Sequence, residues 1–470
     1  MNAHCGSKDF LTGGLRKPDI QRKIAKDFVY RGFLRFKLEL SGLRGVKALY
    51  QKTVLPNGVR VITEEIDHVR SVAIGLWVGA GSRDEREGYE GISHFIEHMF
   101  FKGTKNRTAR QLAESLEAVG GQLNAFTTKE YTCFYAKVLD EDLDLAVDVL
   151  SDMFFSSLFD VNDIEKEKKV VIEEIKMYED SPDELIHDLF SEYVWNDHPL
   201  GKPILGTVDS INALTREKIC DYLGHHYAPE NLVVAVAGKI KHKDVLSKLS
   251  ELYSSFKRGG PRILEGTPQG LAVQRFVGKD TEQMHLIVGV PGLGQDDEDI
   301  YPMHVINNVL GGGLSSRLFQ EIREQRGLAY SVYSYHSTYV DTGLFAIYAG
   351  TSPKNTREVV ECILEEVQTM KKNGITTEEL ARTKAQIKGN LYLGLESVSS
   401  RMSRLGKTEL TYNRVLTPEE VVEKLEKVTL DDVFRVMNRL WQRDKISLAA
   451  IGPDGHRVDL AEILDKQAWS

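Results

Sequence analysis

The stretch SVAIGLWVGAG at residues 71–81 decides the fold, because a stretch of the same character, HLIVGVPG, recurs at residues 285–292. Both are short apolar runs interrupted by glycine, a pattern typical of a buried strand. Helical patterns, a glycine break and a further apolar strand follow each run in the same order, about 213 residues apart. A strand-and-helix unit that recurs at this distance predicts two similar domains produced by duplication.

The neighbouring segments indicate how each domain is built. KTVLPNGVRVITEE at residues 52–65 places an Asn-Gly turn between two alternating apolar runs, which predicts a β-hairpin. Helices are predicted at 140–155 and 162–180 and, in the second copy, at 315–326. Because hairpins and helices form separate groups, we predict an α+β fold: two similar duplicated domains, each a largely antiparallel sheet packed with helices.

Composition and periodicity divide the chain into four segments. We predict a basic N-terminal extension at 1–49, a first domain at 50–256, a Gly- and Pro-rich linker at 257–270 and a second, homologous domain at 271–470. The extension is interpreted as a soluble addition or a start codon placed too early. The alternative is a cleaved organellar presequence, although such segments are poor in the acidic residues that this one contains.

Overall composition excludes several classes of protein. The 470 residues carry 60 Lys+Arg and 69 Asp+Glu, a net charge of −9, and 41% are hydrophobic. This apolar content excludes a disordered chain, and the negative charge argues against nucleic-acid binding. Because no apolar run reaches the ~18–20 residues of a membrane span, we expect no membrane segment. Four widely spaced cysteines predict free thiols in a reducing compartment.

The segment GISHFIEHMFF at residues 91–101 carries the chemistry. His94 and His98 are four residues apart and share one helix face, with Glu97 beside them. The other positions are mostly apolar, and burying two imidazoles and a carboxylate is costly unless something binds them. Zinc accepts two neutral imidazoles at this spacing and leaves Glu97 as the base for its water. The alternative is a core helix whose two histidines have other partners.

A catalytic zinc needs a third protein ligand, which the helix predicted at 162–180 can supply. Glu167 and Glu174 fall on the apolar stripe of this helix, whereas Glu165 and Glu173 fall off it. An acid on a core-facing stripe needs a partner, so we predict Glu174 as the third ligand and Glu167 as a carboxylate that orients the site. A solvated acidic face is the alternative, and it accounts only for Glu165 and Glu173.

The motif His94-x-x-Glu97-His98, with Glu174 76 residues beyond His98, resembles the pitrilysin/insulinase family of inverted (HxxEH) zinc metallopeptidases. The closest branch is that of short, two-domain proteins similar to the beta subunit of mitochondrial processing peptidase and its bacterial relatives. The resemblance runs from about Tyr50 almost to the C-terminus.

The resemblance implies roles for the residues that match the family motif. It makes the domain at 50–256 catalytic, with one Zn2+ per chain held by His94, His98 and Glu174. Glu97 is then the general base, and the paired glutamate seven residues before the third ligand is Glu167.

The second domain is implied to help without binding metal. In REQRGLAY the family pattern places Arg323 and Tyr330, which would hold the scissile carbonyl. Counting 213 residues from His98 and Glu174 leads to the neighbourhoods of Gly311 and Ile387, where the sequence shows no histidines or paired acids at ligand spacing. We therefore predict a second domain without a metal site of its own.

Two further segments are candidates for substrate binding. GGQLNAFT at residues 120–127 resembles the family's exposed edge strand, which an extended peptide can join as an added strand; Asn124 and Ala125 would lie nearest the zinc. An ordinary hairpin edge without a ligand is the alternative. Glu184 and Asp188 match an acidic pair that binds a basic substrate residue in processing-peptidase relatives, and a surface acidic face is equally compatible with them.

These observations together predict a zinc-dependent metalloendopeptidase that cleaves unfolded peptides or presequence-like segments. The alternative is a non-catalytic scaffold subunit of the same fold, as in the core of a respiratory complex. The resemblance implies a dimer, because two domains make half of the family's enclosed chamber. A bacterial member would be a cytoplasmic homodimer, and a mitochondrial one a matrix heterodimer with a homologous glycine-rich-loop subunit.

Overall fold

The structure is a computed structural model that describes residues 50–196, 198–257, 259–264 and 266–469. The extension predicted at 1–49 lies outside the described residues. Within these ranges, no helix combines the length and the apolar character that crossing a membrane would require. The described cysteines, Cys133, Cys220 and Cys362, are free thiols, as predicted.

A six-stranded sheet forms the centre of the first half, in the order β1-β2-β6-β3-β5-β4. Its strands are β1 (Gln51–Val54), β2 (Arg60–Glu65), β3 (Ser71–Val78), β4 (Gln122–Thr127), β5 (Thr132–Leu139) and β6 (Leu232–Gly238). All neighbours are antiparallel except β2 and β6. The predicted Asn-Gly turn joins β1 to β2, and Gly58 has a φ of 103°, which favours glycine.

Helices of the first half cover one face of this sheet and enclose a large apolar core. The helices of this half are α1 (Ile92–Phe100), α2 (Ala109–Glu117), α3 (Leu143–Ser156), α4 (Val161–Glu179), α5 (Pro182–Trp195), α6 (Val208–Asn212), α7 (Arg216–His226) and α8 (His242–Tyr253), of which α5 packs against the second sheet instead. Helix α4 contacts α1, so the two segments predicted to supply metal ligands are adjacent.

The second half repeats this arrangement with a five-stranded sheet in the order β7-β11-β8-β10-β9. The strands are β7 (Gln274–Gly278), β8 (Met284–Pro291), β9 (Ala329–Thr338), β10 (Gly343–Thr351) and β11 (Ser447–Gly452). Its helices are α9 (Ile300–Gly311), α10 (Thr356–Asn373), α11 (Thr377–Gly394), α12 (Val398–Tyr412), α13 (Pro418–Glu426), α14 (Leu430–Leu440) and α15 (Leu460–Lys466). The predicted α+β fold with two similar, largely antiparallel sheets is confirmed.

The two halves exchange one helix each. Helix α12 of the second half packs on the outer face of the first sheet, and α5 of the first half packs on the outer face of the second sheet. Glycines make the close approach possible. A Cβ on Gly406 would lie 2.4 Å from Trp77 Nε1, and one on Gly289 would lie 2.8 Å from Phe190 Cζ. Both sheets are therefore covered on two faces.

Two segments differ from simple helices or coils. The helix predicted at 315–326 is largely a π-helix, Phe319–Gln325, in which the Arg326 N–H donates to the carbonyl of Glu321 five residues earlier. The predicted linker contains no helix or strand in its described residues. It is nevertheless attached to the first half, because Arg262 makes a two-point ion pair with Asp84 at 2.6 and 2.9 Å.

Candidate metal centre

Helix α1 is held at its N-terminus by a buried carboxylate. The helix begins after Gly91, which has a φ of 85° and no side chain to cap it. Glu85 replaces the missing cap, since its carboxylate accepts hydrogen bonds from Gly91 N at 2.7 Å and Ser93 N at 2.9 Å. Burial raises the pKa of Glu85 to about 8, an effect that these backbone donors reduce. These hydrogen bonds therefore fix the first turn of the helix that carries His94 and His98.

The structure brings His94, His98 and Glu174 together. Glu174 Oε1 lies 3.7 Å from His94 Nε2, and its Oε2 lies 3.5 Å from His98 Nε2. One ligand atom from each residue lies within 4.8 Å of the other two, and no other such group of three occurs in the described part of the chain. Ligand atoms around a tetrahedral zinc are about 3.4 Å apart, so this donor set fits the metal.

Protonation states also suit metal binding. Burial, together with the neighbouring His98 ring, lowers the pKa of His94 to about 3, so this imidazole is neutral. Glu167 Oε1 lies 2.8 Å from His98 Nδ1. Because a carboxylate only accepts hydrogen bonds, Nδ1 of His98 carries the proton. Its Nε2 lone pair is therefore available to a metal, on the side of the other candidate ligand atoms.

Glu167 is itself held in the ionised form. Its side chain is only 5% exposed, and Lys102 Nζ lies 2.7 Å from its Oε2. Burial alone opposes ionisation, but hydrogen bonds from His98 and Lys102 outweigh it and lower the pKa of Glu167. The sequence analysis did not identify Lys102. Its position four residues after His98, just beyond the end of α1, could have indicated that it lies near this histidine.

Glu97 lies on α1 next to His98, and its side chain accepts a hydrogen bond from strand β4. Thr127 Oγ1, at the end of β4, donates a hydrogen bond of 2.5 Å to Glu97 Oε2. Burial raises the pKa of Glu97, and this hydrogen bond partly offsets the rise. A carboxylate with a raised pKa is a stronger base than a solvated one. Thr127 was missed from the sequence, where only its place at the end of the predicted edge strand could have indicated it.

Strand β4 is an edge of the first sheet, with β5 as its one neighbour. Ala125 packs against the core on the same side as α1, whereas Asn124 alternates to the opposite face and is exposed. The Asn124 side chain accepts a hydrogen bond of 2.8 Å from the Ala125 N–H. At this edge of the sheet, the Ala125 N–H thus has a local side-chain acceptor.

Arg323 and Tyr330 contact each other. Arg323 Nη1 donates to the Tyr330 carbonyl at 2.9 Å, and its guanidinium lies 4.5 Å from the centre of the Tyr330 ring. Arg323 belongs to the π-helix, and Tyr330 is 76% exposed at the start of β9. Among the described residues, no hydrogen bond or ion pair joins this pair to the three metal-ligand side chains. Arg323 and Tyr330 are thus adjacent in the structure, and their role at the scissile carbonyl stays a prediction.

Glu184 and Asp188 share a face of α5 but differ in environment. Glu184 is exposed, and its carbonyl accepts a hydrogen bond of 3.0 Å from Tyr178. Asp188 is partly buried, which raises its pKa, whereas Lys129 and Tyr178 lower it. Asp188 is therefore already engaged within the protein, and Glu184 is the more exposed acid of the two.

In the second half, helices α9 and α11 are joined by a hydrogen bond of 3.2 Å from Thr383 Oγ1 on α11 to Asn308 Oδ1 on α9. No three-ligand group lies among the described residues of this half.

A duplicated α+β fold with the His-x-x-Glu-His helix and a converging glutamate defines the class of inverted-motif zinc peptidases. Residues 60–208 match the model of the insulinase family (peptidase family M16), and residues 213–387 match that of the peptidase M16 inactive domain. The chain belongs to the insulinase family, and its motif helix lies within the first of these two matched regions.

Curated relatives and solved structures agree with this assignment. The chain is 48% identical over 400 residues to an uncharacterized zinc protease of Bacillus subtilis, covering 85% of this chain and 97% of that protein. It is 41% identical over 434 residues to one of Streptomyces coelicolor, covering 90% and 94%. A protease from Helicobacter pylori has the same fold, with a TM-score of 0.81 at 23% identity, over 86% of this chain and 99% of that one.

Proposed function

We propose that this protein is a zinc-dependent metalloendopeptidase that hydrolyses unfolded peptides or presequence-like segments. The observation that carries the proposal is the convergence of His94, His98 and Glu174 within 4.8 Å. It is supported by the zinc proteases among the relatives. The non-catalytic scaffold has no comparable support, because the donor set and Glu97 are all in place.

The chain's own groups account for binding and proton transfer. When bound, zinc polarises the substrate carbonyl and acidifies a water molecule. His94, His98 and Glu174 hold the ion, and Glu167 fixes the ring of His98. Glu97 takes a proton at its carboxylate oxygen from the attacking water and delivers it to the nitrogen of the leaving amine.

Substrate binding is proposed to use the β4 edge and the second half. An extended peptide adds to β4 alongside Asn124 and Ala125, and main-chain pairing of this kind tolerates varied sequences. Arg323 and Tyr330 stabilise the oxyanion once the substrate is seated. Exposed Glu184 attracts a basic substrate side chain, so we expect a preference for Arg or Lys near the cleavage point.

We also propose one zinc per chain, a dimer in solution and, for a bacterial member like the named relatives, a cytoplasmic location. A single three-ligand group among the described residues supports the stoichiometry. The dimer is supported by the family resemblance alone. Sedimentation of the full chain at micromolar concentration tests it, and a fully active monomer would contradict it.

The decisive experiment compares the wild type with Glu97→Gln. Zinc per chain is measured by mass spectrometry, and cleavage is measured on reduced, carboxymethylated casein with and without a chelator. We expect one zinc in both proteins and a loss of about 10²–10⁴-fold in turnover for the variant. Full turnover by Glu97→Gln, or chelator-resistant cleavage by the wild type, would refute the assignment.

A further inference from the structure

An ion cluster joins the two halves close to the metal centre. Arg83 lies in the 3₁₀ turn Ser82–Asp84, and its side chain is 2% exposed. Its guanidinium makes a two-point ion pair with Asp341, at 2.7 Å for each contact, and contacts Glu130 at 2.8 Å. Glu130 belongs to the β4–β5 turn and Asp341 to the β9–β10 turn. Arg83 therefore binds one turn from each sheet.

The β4–β5 turn is held from both sides by this cluster. Arg83 N donates to the Lys129 carbonyl at 2.7 Å. From the second half, Val340 N donates to both oxygens of Glu130, at 3.1 and 3.2 Å. Because Glu130 is 7% exposed in its side chain, it needs these partners to remain charged. A shift of the second half would therefore pull directly on this turn.

The same turn leads into the groups around the reaction centre. Thr127, which donates to Glu97, is three residues before Glu130 at the end of the peptide-docking edge. On the other side of Arg83, Glu85 caps the start of α1. Segment 83–85 is thus attached to the end of β4, where Thr127 contacts Glu97. It is also attached to α1, the helix that carries Glu97.

We propose that Arg83 is a positioning residue: its cluster with Glu130 and Asp341 couples the seating of the second half to the placement of Thr127 against Glu97. The catalytic part of this inference rests on the proposed peptidase function. The structural part, a β4 end held in place by a residue of the second half, stands independently of it.

Asp341→Asn tests the coupling, because it removes the charge of the second-half partner and leaves Arg83 with Glu130. The matched control is Glu64→Gln. It breaks a different ion pair between the halves, Arg401 with Glu64, which joins α12 to β2 near the opposite edge of the sheet. Both full-length variants are compared for amide hydrogen exchange at residues 123–131, zinc content, and kcat and KM on the casein substrate.

For Asp341→Asn we expect exchange at residues 123–131 to become at least tenfold faster. We expect kcat to fall about tenfold to hundredfold, with KM within twofold of the wild type and one zinc retained. Asp341→Glu, which restores the charge, should recover part of both effects. Glu64→Gln should change neither the exchange at 123–131 nor kcat by more than twofold.

Three results would overturn the inference. The first is an Asp341→Asn variant whose exchange and kcat equal those of the wild type, and the second is faster exchange in this variant with an unchanged kcat. The third is a Glu64→Gln variant that shows effects as large as those of Asp341→Asn. If the wild type cleaves no peptide, the proposed function fails. The exchange comparison still decides whether the second half holds the β4 end.

Discussion

Glu167→Gln should weaken zinc binding without removing a ligand. The Glu167 carboxylate lies 2.8 Å from His98 Nδ1 and 2.7 Å from Lys102 Nζ, and its side chain is 5% exposed. An amide of the same shape keeps the packing but loses the charge that orients the ring and raises its basicity. Loss of such a partner typically reduces metal affinity about 10–100-fold. That change corresponds to about 1.4–2.7 kcal/mol.

The matched control is Glu165→Gln on the same helix. Glu165 is 61% exposed in its side chain and pairs at 2.7 Å with Lys168, whose side chain is 10% exposed. Among the described residues this pair makes no hydrogen bond or ion pair to the three ligand side chains, so the zinc affinity of Glu165→Gln should stay within twofold of the wild type. Zinc dissociation constants are measured by competition with a chelator of known affinity. Equal constants for Glu167→Gln and Glu165→Gln would refute the role of Glu167.

Three further outcomes are expected. Thr127→Val removes the hydrogen bond to the general base and should lower kcat about tenfold with zinc content unchanged; an unchanged kcat contradicts this. Burial and nearby positive charge lower the pKa of His304 to about 3. The unfolded state therefore binds a proton that the folded state does not, and the unfolding midpoint should fall as pH drops below about 6.5, less steeply in His304→Gln. Gly406→Ala forces a methyl group against Trp77 and should lower the free energy of unfolding by about 1–3 kcal/mol, as measured by thermal unfolding. The control Gly389→Ala on α11 places its methyl group where no atom lies within 4 Å, so its stability should be unchanged or higher.

The three candidate ligands, His94, His98 and Glu174, show how much of the site a local sequence pattern can predict. His94, Glu97 and His98 lie within five residues of one helix, so helix geometry alone determines their relative placement. Glu174 was selected because it falls on the inward stripe of its helix, and the structure brings it to the two imidazoles. Its side chain is nevertheless 42% exposed, so this stripe borders an open site and not a closed core.

Other features depended on contacts between distant segments. Thr127 meets Glu97 because β4 lies against α1, and no spacing in the sequence expresses that approach. The segment that contains Arg323 forms a π-helix, but its sequence pattern is indistinguishable from that of an ordinary α-helix.

The amino-acid sequence by itself determined the α+β fold of two similar halves, the motif helix and the choice of Glu174 as the candidate that meets the two histidines, since periodic patterns in the sequence encode each of them. Tertiary structure alone decided the exchange of α5 and α12 between the sheets and the meeting of Arg83 with Asp341. Such contacts join residues far apart in the chain: Arg83 and Asp341 are separated by 258 positions, and Lys52 of β1 contacts Glu409 of α12 across 357 positions. Their formation depends on how whole layers pack, which no local pattern of side chains specifies.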